Sequence, residues 1–181
     1  AEWQKFRADH TNEAILDRIV VVRVPYNLRL SEEVKIYQKI IRNSDFRAHV
    51  APHTLEVASM FAILSRLEPN NKCDLMTKLK LYNGEEVVEK GKTKKIDVQE
   101  LREDTKREGM SGISTRFAYK ILSKVFNFDS QELAANPVHL MYVLEQQIER
   151  EQFPQETEQK FVGFIKEQLA PRYAEFIGKE I

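Results

Sequence analysis

Glu108-Gly-Met-Ser-Gly-Ile-Ser-Thr-Arg116-Phe-Ala-Tyr-Lys-Ile-Leu-Ser-Lys-Val-Phe126 decides the fold. Gly109 and Gly112 break the chain, Ser114 or Thr115 can cap a helix start, and an amphipathic helix follows. Phe117, Ala118, Ile121, Leu122 and Val125 recur at helical spacing and form one apolar stripe. At about 100° per residue, Arg116 falls nearly opposite that stripe, beside Lys120 and Ser123. A cation in the first turn opposes the helix macrodipole, typically by ~0.3–1 kcal/mol. Two readings of Arg116 stand: a solvated surface arginine, or a guanidinium held for an anion such as a nucleotide phosphate.

Outward from this stretch the chain reads as helices. On its C-terminal side, Asn136 and Pro137 make a cap and first-turn pair for a helix burying Val138, Met141, Leu144 and Ile148. Pro154 starts another, with Phe161, Val162, Phe164, Ile165 and Leu169 on one side. A last short helix after Pro171 presents Tyr173, Phe176 and Ile177, the latter two exposed to whatever docks there. On the N-terminal side, Ser31 caps a helix with Glu32 and Glu33 in its first turn, burying Val34, Tyr37, Ile40 and Ile41. Pro52 suits the first turn of the next, which carries Leu55, Ala58, Phe61, Ala62 and Leu64 and ends near Glu68-Pro69.

Two segments depart from this pattern. Thr11 or Asn12 can cap a short helix through Leu16, after which Ile19-Val-Val-Val-Arg-Val24 is β-branched and nearly uniform. That is the signature of a strand buried on both faces of a parallel sheet, stopped by Pro25. No further strand long enough to flank it follows. Between residues 68 and 107, Leu79–Tyr82 and Glu85–Val88 flank Asn83-Gly84, a hairpin signal because both turn residues tolerate positive φ. Glu89-Lys-Gly-Lys-Thr-Lys-Lys95 reads as a mobile charged loop, and Asp97 with Glu100 as a capping box for a polar helix to about Arg107.

Composition narrows the function classes. A chain of 181 residues with 42% hydrophobic and 31% charged residues can bury the core of one moderate domain. Its 28 Lys plus Arg balance 28 Asp plus Glu, so no net field recruits nucleic acid or an acidic membrane. Cys73 alone makes no disulfide framework and fits a reducing cytoplasm. No run approaches the ~18 apolar residues of a membrane span, and no signal peptide is visible. The chain opens on Ala1-Glu-Trp and closes on Phe176-Ile-Gly-Lys-Glu-Ile181, so both ends read as cuts through a longer protein.

Gly112-Ile-Ser-Thr-Arg116 at a helix head resembles the sensor-2 motif of an AAA+ ATPase lid. With Asn12–Arg18, Val24–Glu33 and Asn136–Pro154 added, the chain resembles the bacterial PrkA family, named as serine protein kinases and carrying an AAA+ module. The likeness covers essentially all of the chain apart from the charged insert. It implies a mainly α fold: an AAA+ helical lid with an N-terminal α/β remnant, a small β-hairpin insert and a C-terminal helical extension. Residues 1–28 would end the AAA+ core, 29–128 would form the lid with its insert at 68–107, and 129–181 would begin a C-terminal helical region.

The resemblance also implies site roles. Arg116 would sense a phosphate in its own subunit, with Ser114 and Gly112 beside it. Arg18 would act as an arginine finger on the neighbouring subunit's nucleotide, a task for which a fixed charge and forked donors suit arginine better than lysine. The other reading of Arg18 is a surface ion pair with Asp17 or Glu13. The whole protein is then expected to bind ATP and Mg2+, to form a homo-oligomer in the cytoplasm and to act on a protein substrate, without nucleic acid or membrane. This chain alone is expected to hold no cofactor and hydrolyse no ATP. Gly91-Lys92-Thr93 echoes the end of a P-loop, but Glu86 occupies the required earlier glycine position. Kinase loops of the H-R-D-x-x-x-x-N and D-F-G types are absent, and His49 and His53 straddle Pro52 without further metal ligands. The competing class is a non-enzymatic helical interaction module.

Overall fold

The computed structural model describes residues 2–44, 49–89, 92–93, 96–127 and 134–181. At its centre lies a helix, Thr54–Arg66, in which every residue from Val57 to Arg66 is buried. A helix apolar on all sides has to be surrounded, and this one is. Packed on it are helices Leu30–Arg42, Leu75–Asn83, Thr115–Phe126 and Pro137–Arg150, and the middle of a long C-terminal helix. In chain order the helices are α1 (Glu2–Ala8), α2 (Glu13–Leu16), α3 (Leu30–Arg42), α4 (Thr54–Arg66) and α5 (Leu75–Asn83). They continue as α6 (Val98–Asp104), α7 (Thr115–Phe126), α8 (Pro137–Arg150), α9 (Gln155–Gly163) and α10 (Ala170–Glu180). The fold is mainly α, as the helical periodicities predict.

The expected one-sided face of α4 is too narrow. Val57, Met60 and Ile63 are as deeply buried as Phe61, Ala62 and Leu64, because neighbours approach from every side. Nor does Pro52 enter its first turn: the helix begins at Thr54 after His53, whose φ of 63° turns the chain into it. The Thr54 hydroxyl donates to the carbonyls of Ala51 (2.8 Å) and Ala135 (3.2 Å). This ties the start of α4 to a two-residue parallel pairing of β1 (His49–Val50) with β4 (Ala134–Ala135).

The predicted hairpin around Asn83-Gly84 is a helix end instead. Asp74 caps α5 by accepting the Thr77 N–H, and Lys78, Leu79 and Tyr82 are buried at helical spacing. Gly84, at φ 83°, closes the helix in the left-handed conformation. The same tolerance of positive φ serves a hairpin turn and a helix C-cap alike, so the dipeptide could not distinguish them. The Asn83 side chain then reaches across and accepts the Ser31 N–H (2.9 Å), capping α3, which starts at Leu30 rather than after Ser31. A short antiparallel pair does occur further on, β2 (Val88–Glu89) with β3 (Lys92–Thr93). Residues 90, 91, 94 and 95 of the predicted charged loop lie outside the described residues.

The segment 19–24 has no regular secondary structure and pairs with no strand among the described residues, and Val20 and Val24 are 87% and 80% exposed. The buried strand expected there is therefore not realised in this chain. At the other end, the two predicted C-terminal helices are one continuous rod. Between α9 and α10 the residues Phe164–Leu169 adopt a π-helix, which ends just before Pro171. A widened backbone accommodates the pyrrolidine ring that would clash with the preceding turn of a regular helix. Phe161 on this rod meets Phe61 of α4 and Phe153 edge-on, at 5.6 and 5.3 Å between ring centroids. Phe176, expected to be exposed, is half-buried against His53, while Ile177 remains exposed.

Candidate functional site: an arginine presented at the head of helix α7

The turn that precedes Arg116 is clamped to the C-terminal end of α4. Arg66 is fully buried there, where the helix macrodipole favours a cation. Its Nε donates to the Ile113 carbonyl (3.0 Å) and one terminal nitrogen to the Asn27 carbonyl (2.9 Å). The other terminal nitrogen donates to Glu33 Oε1 at 2.8 Å, and the guanidinium lies over the Tyr26 ring. One side chain thus holds the entry to α3 and the entry to α7 against α4. Ser65 adds a further link, its hydroxyl accepting the Ile113 N–H (2.8 Å).

Backbone contacts complete the clamp. The Gly109 N–H donates to the Arg66 carbonyl (3.1 Å), and the Tyr26 N–H donates to the Gly109 carbonyl (2.7 Å). Gly112, at φ 106°, lies so close to α4 that a Cβ would sit 2.6 Å from the Ser65 carbonyl oxygen. At the head of the same stretch Glu108 is buried and ionically anchored. It pairs with the buried Lys78, accepts from the Tyr82 hydroxyl (2.6 Å) and accepts from the Glu68 N–H (2.9 Å). Burial, and after it the Glu108 carboxylate, push the Tyr82 phenol well above its ordinary pKa.

From this platform α7 starts as the sequence predicts. The Ser114 hydroxyl accepts the Phe117 N–H (3.2 Å), and Ala118, Ile121, Leu122 and Val125 face the core. Arg116 in the first turn is exposed and makes no side-chain hydrogen bond or ion pair to any described residue. It lines a shallow recess with Ile40, Asn43, Ser44, Thr115 and Tyr119, and also the upper end of a groove between α7 and α8. Arg18 is likewise exposed, on the turn after α2, with neither expected ion pair to Asp17 or Glu13. Arg18 lines neither of the two recesses around Arg116.

Sequence reading missed Arg66, Glu33 and Glu108. Glu33 looks like one of two first-turn anions of α3, but only Glu32 is solvated, where it pairs with Lys35. An arginine closing an apolar helix carries no sign of whether it faces water or the core. Two of the histidines have partners within the chain. The His139 backbone N–H donates to the Asn136 side chain (2.9 Å), which caps α8, and His53 engages Glu56 and Glu180. Among the described residues no group of three or more His, Cys, Asp or Glu could hold a metal ion. No helix among them is long and apolar enough to cross a membrane.

Comparison with known proteins places this geometry in context. Residues 1–74 match the PrkA AAA domain, and residues 76–181 match the PrkA serine protein kinase C-terminal domain, so the two regions meet at the start of α5. The whole chain is 54% identical to the serine/threonine kinase YeaG of Escherichia coli (strain K12), of which it covers 28%. Over 99% of its length it is 36% identical to the ATP-dependent protease PrkA of Bacillus subtilis (strain 168), again 28% of that protein. It thus spans little more than a quarter of the relatives it matches. No solved structure matches it. With both family regions matched end to end, this chain belongs to the PrkA family.

Proposed function

We propose that this chain forms the nucleotide-sensing lid of an ATP-dependent PrkA-family protein. In the whole protein, ATP with Mg2+ is gripped elsewhere, Arg116 reaches its phosphates from the lid, and Arg18 projects across a subunit boundary. The protein is then a cytoplasmic homo-oligomer that uses ATP to act on a protein substrate. One relative is named a kinase and the other an ATP-dependent protease, and consumption of a nucleoside triphosphate is common to both names.

The observation that carries this reading is the combination at Arg116. Its helix start is fixed by a buried arginine, by the hydrogen bonds that the Gly109 N–H donates to the Arg66 carbonyl and the Ile113 N–H donates to the Ser65 hydroxyl, and by a glycine with no room for a side chain. The guanidinium itself is exposed and unspent on any described residue. A preorganised base under an uncommitted cation is what binding a phosphate requires, because little ordering remains to be done when the anion arrives. A merely solubilising arginine needs no such platform.

Arg116→Ala in the full-length protein should lower ATP turnover by about 10–100-fold, the worth of a charge-assisted hydrogen bond to phosphate. Arg116→Lys should recover only part, since a point charge replaces a forked donor. Steady-state ATPase assays with a nucleotide-binding measurement check this. Wild-type turnover and affinity in Arg116→Ala would instead leave a non-enzymatic interaction module.

A further inference from the structure

Helix α7 carries Arg116, Lys120 and Lys124 on one line, each four residues from the next, and all three line the groove between α7 and α8. The facing helix contributes Tyr142, Gln146 and Arg150, also spaced by four. The groove encloses about 690 Å³, with Asn127 at its far end, and none of its lining residues is acidic. Two contacts fix the antiparallel pairing of its walls: Lys120 pairs with Glu151, and Lys124 donates to the buried Gln147. Gln147 in turn donates to Glu151 (2.6 Å), so the Glu151 carboxylate is already engaged by both helices. The Lys120 hydrogen bond, and after it that from Gln147, hold the Glu151 carboxyl below its ordinary pKa. Arg150 is exposed and makes no side-chain hydrogen bond or ion pair to any described residue.

We infer that this groove binds an extended, acidic peptide segment. Cations four residues apart on a helix are spaced by about 6 Å along its axis. Side chains on one face of an extended strand recur every two residues, about 6.6 Å apart. A segment with acidic residues at alternate positions therefore meets the row on α7 in register. Its intervening backbone amides face the side-chain amides of Gln146 and Asn127, and the ring of Tyr142 gives its apolar carbons a surface. Arg150 closes the end nearest Arg116 as a second forked donor for a carboxylate. Nucleic acid fits less well, since strands are bound by domains with a marked basic excess, and here 28 cationic residues balance 28 anionic ones. Lys124 and Arg150 lie outside the proposed nucleotide contact, so substituting them tests the groove separately from the phosphate role of Arg116.

The test uses the full-length protein and a short fluorescein-labelled peptide alternating Glu with apolar residues, read by fluorescence anisotropy. Its Gln-for-Glu counterpart and a labelled single-stranded oligonucleotide serve as competitors. The acidic peptide should bind, weaken as salt screens the charges, and be displaced by neither competitor. Arg150→Glu and Lys124→Gln should each weaken it by about tenfold or more while nucleotide affinity stays unchanged. Unfolding midpoints confirm that the variants are folded. If one is not, the salt dependence and the Glu-against-Gln comparison on the unaltered protein decide the matter. No binding, equal binding of the Gln peptide, unaltered binding by the folded variants, or displacement by the oligonucleotide would each overturn the inference.

Discussion

Gly112 shows how one residue links sequence to site. Its φ of 106° is a conformation that side-chain-bearing residues avoid, and a Cβ would press within 2.6 Å of the Ser65 carbonyl. Strain at such a position and overlap with rigid backbone each cost roughly 1–3 kcal/mol, so Gly112→Ala should destabilise the protein by about 2–6 kcal/mol. Denaturant unfolding monitored by circular dichroism checks this, and a change below about 1 kcal/mol would mean that the turn relaxes freely. Ser114 contributes at the same scale through its cap, an interaction of about 1 kcal/mol. Arg66 matters for a different reason: a buried guanidinium paired with Glu33 gains little over an apolar pair, yet losing one partner strands a charge in the core. Its value is positional, since the same group sets where α3 and α7 begin.

At the scale of elements, His53 joins the start of α4 to the end of α10. Its ring stacks on Phe176, with centroids 4.4 Å apart, and Nε2 lies 2.7 Å from Glu180 Oε1. Nδ1 meets Glu56 of its own helix, while Arg172 of α10, which lines the same recess as His53, is engaged by Glu175 (2.6 Å). The hydrogen bond to Glu180, and after it that to Glu56, raise the His53 pKa above its ordinary 6.5. A raised value means the folded state favours the imidazolium. The stabilisation is therefore complete below pH 6.5 and is lost as pH rises through the folded-state pKa. Amide exchange in the last turn of α10 should accordingly be most protected at mildly acidic pH, relative to the intrinsic rate, and should loosen above neutrality. His53→Gln should abolish that pH dependence, and its persistence would show that another group is responsible.

For the whole molecule, the two candidate arginines line no recess in common, Arg18 being absent from both recesses around Arg116. If Arg18 acts on a neighbouring subunit, that separation is required, not accidental. Oligomers of the full-length protein made only of Arg18→Ala subunits should lose ATP turnover by about 10³-fold, within the range known for arginine fingers. Mixing Arg18→Ala subunits with subunits unable to bind nucleotide should restore part of it, because each supplies what the other lacks. Unchanged turnover in the pure variant would remove the assignment.

Local chemistry already written in the chain determined the helix at 115–126, its Ser114 cap, the Asn136 cap of α8 and the mainly α class. Periodicity and capping are short-range properties, so residues a few positions apart suffice to specify them. What only the tertiary structure decided was which charges go inside: Arg66, Glu33, Lys78 and Glu108 are buried because partners from distant segments meet them. The same holds for Asn83, whose side chain caps a helix 52 positions away, and for 19–24, whose β-branched run finds no pairing among the described residues. Burial of a charge and pairing of a strand both depend on a second surface, and no single stretch of sequence contains that surface.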